Sequence, residues 1–97
     1  MSTLVTTASC PGGTTVDVPL KGGPEFASTQ IIITGRATGT VTITVRPTGG
    51  DFFETVSGGA LTLSASRLIS LAGFSIDTVR FSDGGTGAFS VTIIQRS

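Results

Sequence analysis

Apolar and polar residues alternate along much of this chain with a period of two, most regularly from Thr40 to Arg46. Val41, Ile43 and Val45 fall on one side, and Thr40, Thr42, Thr44 and Arg46 on the other. A half-buried strand requires this, because successive side chains leave opposite faces of the pleat. Pro47-Thr48-Gly49-Gly50-Asp51 then breaks the run with turn residues, and Phe52 to Val56 resumes extended structure, so the pattern predicts a β-hairpin. From Thr14 to Leu20, Val16, Val18 and Leu20 share a face. Pro19 places that strand at a sheet edge, where a missing N–H leaves no ladder bond unmade. Phe26 to Thr34 contains Ile31-Ile32-Ile33, and a run apolar on both sides predicts a central strand covered on both faces.

Beyond Val56, Ser57-Gly58-Gly59 reads as a tight turn and Ala60 to Ser64 as a short strand with Leu61 and Leu63 inward. Arg67 to Ala72 reads as a further strand, bounded by Gly73. Ile76 to Ser82 carries Val79 and Phe81 on one face, and Ile76, out of parity, marks a bulge. Asp83-Gly84-Gly85-Thr86-Gly87 is a turn, and Ala88 to Arg96 is a last strand with Phe89, Val91 and Ile93 on one face. Residues 1–10 form either a loose N-terminal arm or an edge strand. No segment carries the period of an amphipathic helix. The expected fold is therefore all-β: one domain over residues 1–97, an antiparallel β-sandwich of about 8–9 short strands. The two halves also match at an offset of about 37 residues, setting Val41 and Ile43 against Val79 and Phe81. A jelly roll joins two Greek keys, so this match favours a jelly-roll-like topology over an immunoglobulin-like one.

Composition sharpens the picture. Seventeen Thr, eleven Ser and 14 Gly are interleaved with twenty-two Leu, Ile and Val. The regular return of apolar residues argues for folding, and the β-branched weighting for strands. Six basic and six acidic residues are scattered singly. With no basic stripe to neutralise phosphates, no nucleic-acid partner is expected. No membrane partner is expected either, since the longest apolar run is the triple isoleucine. The first residues have neither the basic start nor the apolar core of a secretory signal, which predicts a protein made in the cytoplasm and used as translated. A lone Cys10 at a strand end is consistent with that and cannot form an internal disulfide.

The residue inventory also removes most catalytic chemistry. The chain has no His, one Cys, no Trp and no Tyr. That excludes Ser-His-Asp and Cys-His catalysis, His- or thiolate-ligated metal centres, and the usual aromatic platforms for sugars or bases. Asp51 with Glu54, and Asp77 with Asp83, lack the spacing of a calcium loop and read as turn residues. No enzyme activity, cofactor or metal is expected. Five of the six basic residues are arginines in or beside strands, which read as a solvated strand face or as interface residues. Phe52 and Phe53 are adjacent, so they point to opposite faces: either both faces are covered or one ring is presented to a partner.

The stretch GTVTITVRPTGGDFFETVSGGALTLSASR, followed by SIDTVRFSDG and a terminal strand, resembles small virion proteins of tailed bacteriophages of the capsid decoration or cement type. The resemblance implies a non-enzymatic structural role: binding the capsid exterior as an oligomer, with the major capsid protein as partner, and stabilising it. It also implies residence in the virion after assembly in the host cytoplasm. A homo-oligomer is expected, a trimer by preference, because symmetric closure hides edge strands. The alternatives are a tail or baseplate component, or a surface-displayed glycan- or host-binding module. The candidate interface is the outward row of Thr42, Thr44 and Arg46, with Phe52 and Phe53 across the turn.

Overall fold

The computed structural model describes residues 2–51 and 53–97, with Ser57 through its backbone. Among the described residues eight strands follow one another: β1 (Thr3–Cys10), β2 (Thr15–Pro19), β3 (Ser28–Thr34), β4 (Thr40–Pro47), β5 (Glu54–Thr62), β6 (Leu68–Ala72), β7 (Ile76–Asp83) and β8 (Phe89–Arg96). They form two antiparallel sheets with strand orders β1-β8-β3-β6 and β2-β7-β4-β5. The pairing is nested: β4 with β5, β3 with β6, β2 with β7 and β1 with β8. Successive strands change sheet everywhere except at the β4–β5 hairpin. This is jelly-roll order, a long hairpin rolled up about its own bend.

The period-two pattern places the core. Val41, Ile43 and Val45 of β4 with Phe81 of β7 make one inner surface and Ile31 and Ile33 of β3 with Ile93 of β8 the other, all at 0–1% exposure. Gln95 is also inward, fully buried. Its Oε1 accepts from the Gly22 N–H at 3.1 Å and its Nε2 donates to the Ile76 carbonyl at 3.4 Å, which ties the β2–β3 connection to the end of the core. Residues 3–10 form an edge strand, hydrogen-bonded to β8 along their whole length. Pro19 ends the edge strand β2, as its missing N–H requires. The expected bulge at Ile76 is present, opposite Arg46 and Pro47 of β4.

Two expectations change. Ser57-Gly58-Gly59 is not a turn between strands but a bulge inside β5. Glu54 and Thr55 pair with Val45 and Thr44, Ala60 to Thr62 pair with Thr42 to Thr40, and Ile43 alone faces the extra residues. Nor is β3 covered on both faces: Ile31 and Ile33 are buried, while Ile32 lies half-buried on the outer surface of its sheet. The segments matched by the 37-residue offset, β3 with β6 and β4 with β7, are hydrogen-bonded antiparallel neighbours.

Candidate functional site

The hairpin of β4 and β5 lies in the β2-β7-β4-β5 sheet, and residues in register across these strands make rows on its outer face. One row runs Asp17, Arg80, Thr44, Thr55; the next runs Pro19, Thr78, Arg46. In the first, Arg80 donates from Nε and Nη2 to the two Asp17 carboxylate oxygens at 2.8 and 3.0 Å. In the second, Arg46 Nε donates to Asp77 Oδ1 at 2.8 Å and its Nη2 to Thr78 Oγ1 at 3.1 Å. The Phe53 ring lies close to both guanidiniums, with Arg80 Cζ 3.7 Å and Arg46 Cζ 5.8 Å from its centroid. Such stacking on the ring quadrupole holds flat, otherwise mobile side chains in place. The hydrogen bond to Arg80 is the main cause holding the Asp17 carboxyl below its usual range. At Asp77, burial acts to raise it, and the hydrogen bonds from Arg46 and Thr78 outweigh that and lower it.

Of the sequence-predicted interface residues, Thr42, Thr44, Arg46 and Phe53 therefore share one face, with Thr42 exposed and the other three half-buried. Phe52 lies outside the described residues. Sequence reasoning grouped Arg80 with the other arginines and did not place it beside Phe53; its parity against Val79 and Phe81 was the available signal. Asp17 as the companion of Arg80, and Asp77 as that of Arg46, were missed. The arginines are also not a row of solvated cations, because three of them are paired with aspartates.

The third pair has a different role. Arg36 follows β3 and meets Asp83 at the end of β7 in a two-pronged ion pair, Nη2–Oδ1 2.6 Å and Nη1–Oδ2 2.7 Å, with side chains 8% and 1% exposed. Backbone N–H groups of Gly13 and Gly85 donate to the same carboxylate at 2.9 Å each. Arg36 also donates to the carbonyls of Thr38, Thr86 and Gly87. Three loops at one end of the sandwich are thereby joined through two side chains, all their polar atoms engaged. Asp83 thus does more than a turn residue would. Chiefly because of the Arg36 hydrogen bonds, its carboxyl is held far below the usual range. Cys10, buried nearby, has its thiol pushed up first by burial and then by the Asp83 charge, so it stays protonated and unreactive at neutral pH.

The sheets part between β5 and β6. A cleft of about 600 Å³ opens there, lined by Val45, Val56 and Leu71 at its floor and by Glu54 and Phe74 among its rim residues. Phe74 is 36% exposed. Among the described residues no group of three or more His, Cys, Asp or Glu side chains stands close enough to hold a metal ion.

No protein-family model matches this chain, and no curated protein matches it. Among solved structures, a chain of the disulfide-linked pili of Bacillus endospore appendages superposes with a TM-score of 0.46 at 19% identity, over 97% of this chain and 88% of that one.

Proposed function

We propose that this chain is a non-enzymatic structural protein of a bacteriophage particle. In this reading many copies dock on the outside of the capsid shell through the outer face of β2-β7-β4-β5 and brace it. The observation that carries the reading is the Arg80–Phe53–Arg46 stack, with each guanidinium fixed by a carboxylate. Aromatic and arginine side chains supply most of the energy at protein interfaces, and they do so best when already ordered before contact. Each guanidinium has five N–H donors, of which Arg80 uses two on Asp17, so donors remain for carboxylates and carbonyls of a partner. Thr42 and Thr44 add hydroxyls that both donate and accept. The likeness of the sequence to virion proteins supports the major capsid protein as that partner, and the virion as the location after assembly in the host cytoplasm. Many copies on a repeating lattice make a weak single contact sufficient.

Co-sedimentation with capsids stripped of the protein tests this directly. Wild-type protein is expected to pellet with the shells and raise the temperature at which they open. Phe53→Ser is expected to stay folded and weaken binding by about tenfold or more per contact. Failure of the wild-type protein to pellet with shells would sink the reading, and pelleting with isolated tails instead would move the protein to the tail or baseplate. A second reading has one observation in its favour, the half-open Phe74 at the rim of the β5–β6 cleft, where an apolar sugar face can rest. Glycan-array binding abolished by Phe74→Ala, and untouched by Phe53→Ser, would establish that reading in place of the first.

A further inference from the structure

The outer face of the other sheet, β1-β8-β3-β6, is different in kind. Register sets Val5 beside Ile94 on β8, Ile94 beside Gln30 on β3, and Ile32 of β3 beside Leu68 on β6. Ile94 and Ile32 are diagonal neighbours across the β8–β3 ladder, roughly 7–8 Å apart and within reach of one another. Val5, Ile94, Ile32 and Leu68 therefore form an apolar strip from one edge of the sheet to the other. Val5 is 57% and Leu68 50% exposed, while Ile32 and Ile94 are half-buried. The remaining outward positions in these four strands are Ser, Thr, Ala and Gln apart from Arg96, whose guanidinium is engaged by Gln30 Oε1 at 2.7 Å near the end of the face. The β2-β7-β4-β5 face, by contrast, carries Asp17, Arg46, Asp77 and Arg80.

We infer that this strip is a self-association surface, on which a second copy of the chain packs sheet against sheet about a two-fold axis. Three features select a second copy over a different partner. The strip crosses the sheet as a nearly straight diagonal, so a two-fold axis lying in the interface plane along or across it lays the strip on itself. An isologous contact needs that self-match. The face has almost no charge, so pairing it with itself buries no row of like charges; a charged partner would find nothing complementary there. The size is also sufficient. Four strands about 4.8 Å apart, with residues rising about 3.3 Å, give a face of roughly 19 by 25 Å, near 500 Å². Two such faces remove about 1,000 Å², the size of a weak, reversible pair. Ile32 then has the second cover that the triple isoleucine led one to expect, supplied by another chain. The pair leaves both β2-β7-β4-β5 faces pointing outward, and the inference stands whether or not those faces bind a capsid.

Sedimentation equilibrium over a concentration series tests it on the whole chain. The expected mass at high concentration is twice 9.8 kDa, falling toward one chain on dilution. Val5→Lys with Leu68→Lys places two charges at the ends of the strip, where both side chains are half exposed or more and a lysine head can reach water. That variant is expected to match the wild-type Tm at dilutions where both are single chains, and to raise the dissociation constant by about a hundredfold or more. Thr62→Lys, on the opposite sheet, should pair like the wild type. A wild-type mass of one chain or of three at about 100 μM overturns the inference. So does a pair that survives the double lysine change, or one that Thr62→Lys breaks equally well.

Discussion

Asp83 ends β7 with four hydrogen bonds on its carboxylate, two from Arg36 and one each from the Gly13 and Gly85 N–H groups. Removing it leaves a guanidinium that is 8% exposed without its counter-charge and frees three loops together. Asp83→Ala is therefore expected to lower the Tm by about 10 °C or more. Asp17→Ala, whose side chain is 44% exposed beside Arg80, should lower it by only about 1–5 °C. The same contrast governs acid stability. Unfolded, Asp83 takes up its proton near the ordinary 3.8; folded, Arg36 holds the carboxyl well below that value. Its contribution is thus complete above 3.8 and is lost as pH falls through the depressed folded value, because there the unfolded chain binds the extra proton. Asp17 and Asp77 shift in the same direction. Thermal melts should show a Tm that is flat from about pH 5 upward and falls below about pH 4, with a shallower fall in Asp83→Ala. None of this was legible in the sequence. Asp83-Gly84 has turn chemistry, its partner stands 47 residues away, and local spacing is silent about pairs that only the roll of the chain brings together.

Among the elements, β4 was read correctly from its alternation and β5 was not. Gly58 and Gly59 look like a turn because a turn and a bulge draw on the same residues: Gly58 has φ +76°, and Gly59 lets backbone come close. What distinguishes the two is that both arms of β5 pair with one strand, which is a long-range fact. The bulge gives a specific expectation. A Cβ on Gly59 would stand 2.6 Å from the Ile43 carbonyl oxygen and 3.0 Å from that of Val56, both rigid backbone. Gly59→Ala should cost about 1–3 kcal/mol by urea denaturation. Gly49→Ala, with φ +82° but open space around it, should cost about 1 kcal/mol. Equal losses at the two sites would mean that the β4–β5 ladder closes without the tight crossing. The triple isoleucine shows the complementary limit. Periodicity identified β3 and its apolar character on both faces, but not whether each face meets this chain or another.

Across the molecule the nested pairing joins residues that are far apart in sequence, ending with Thr3 opposite Arg96. Few contacts are local, so the loop-closure cost precedes most of the stabilising contacts. Stopped-flow refolding is expected in the range of about milliseconds to seconds. Microsecond refolding would show that the rolled hairpin is not what limits the rate. Alternation with glycine-rich breaks was enough to give the sandwich class, and Pro19 the edge; the order of strands within each sheet left no mark on local pattern. The ends of the chain meet as well: the Ser2 N–H donates to Ser97 Oγ at 2.7 Å, and the Ser97 N–H to the Ser2 carbonyl at 3.0 Å. That meeting has a mechanical meaning. Tension applied through Ser2 and Ser97 pulls at the open end of the β1–β8 ladder and breaks its hydrogen bonds one pair after another, as a zip opens. A load that enters through the sheet faces is instead shared by every strand at once. An attachment that must bear force on this protein should therefore grip its flat sides and leave its ends slack.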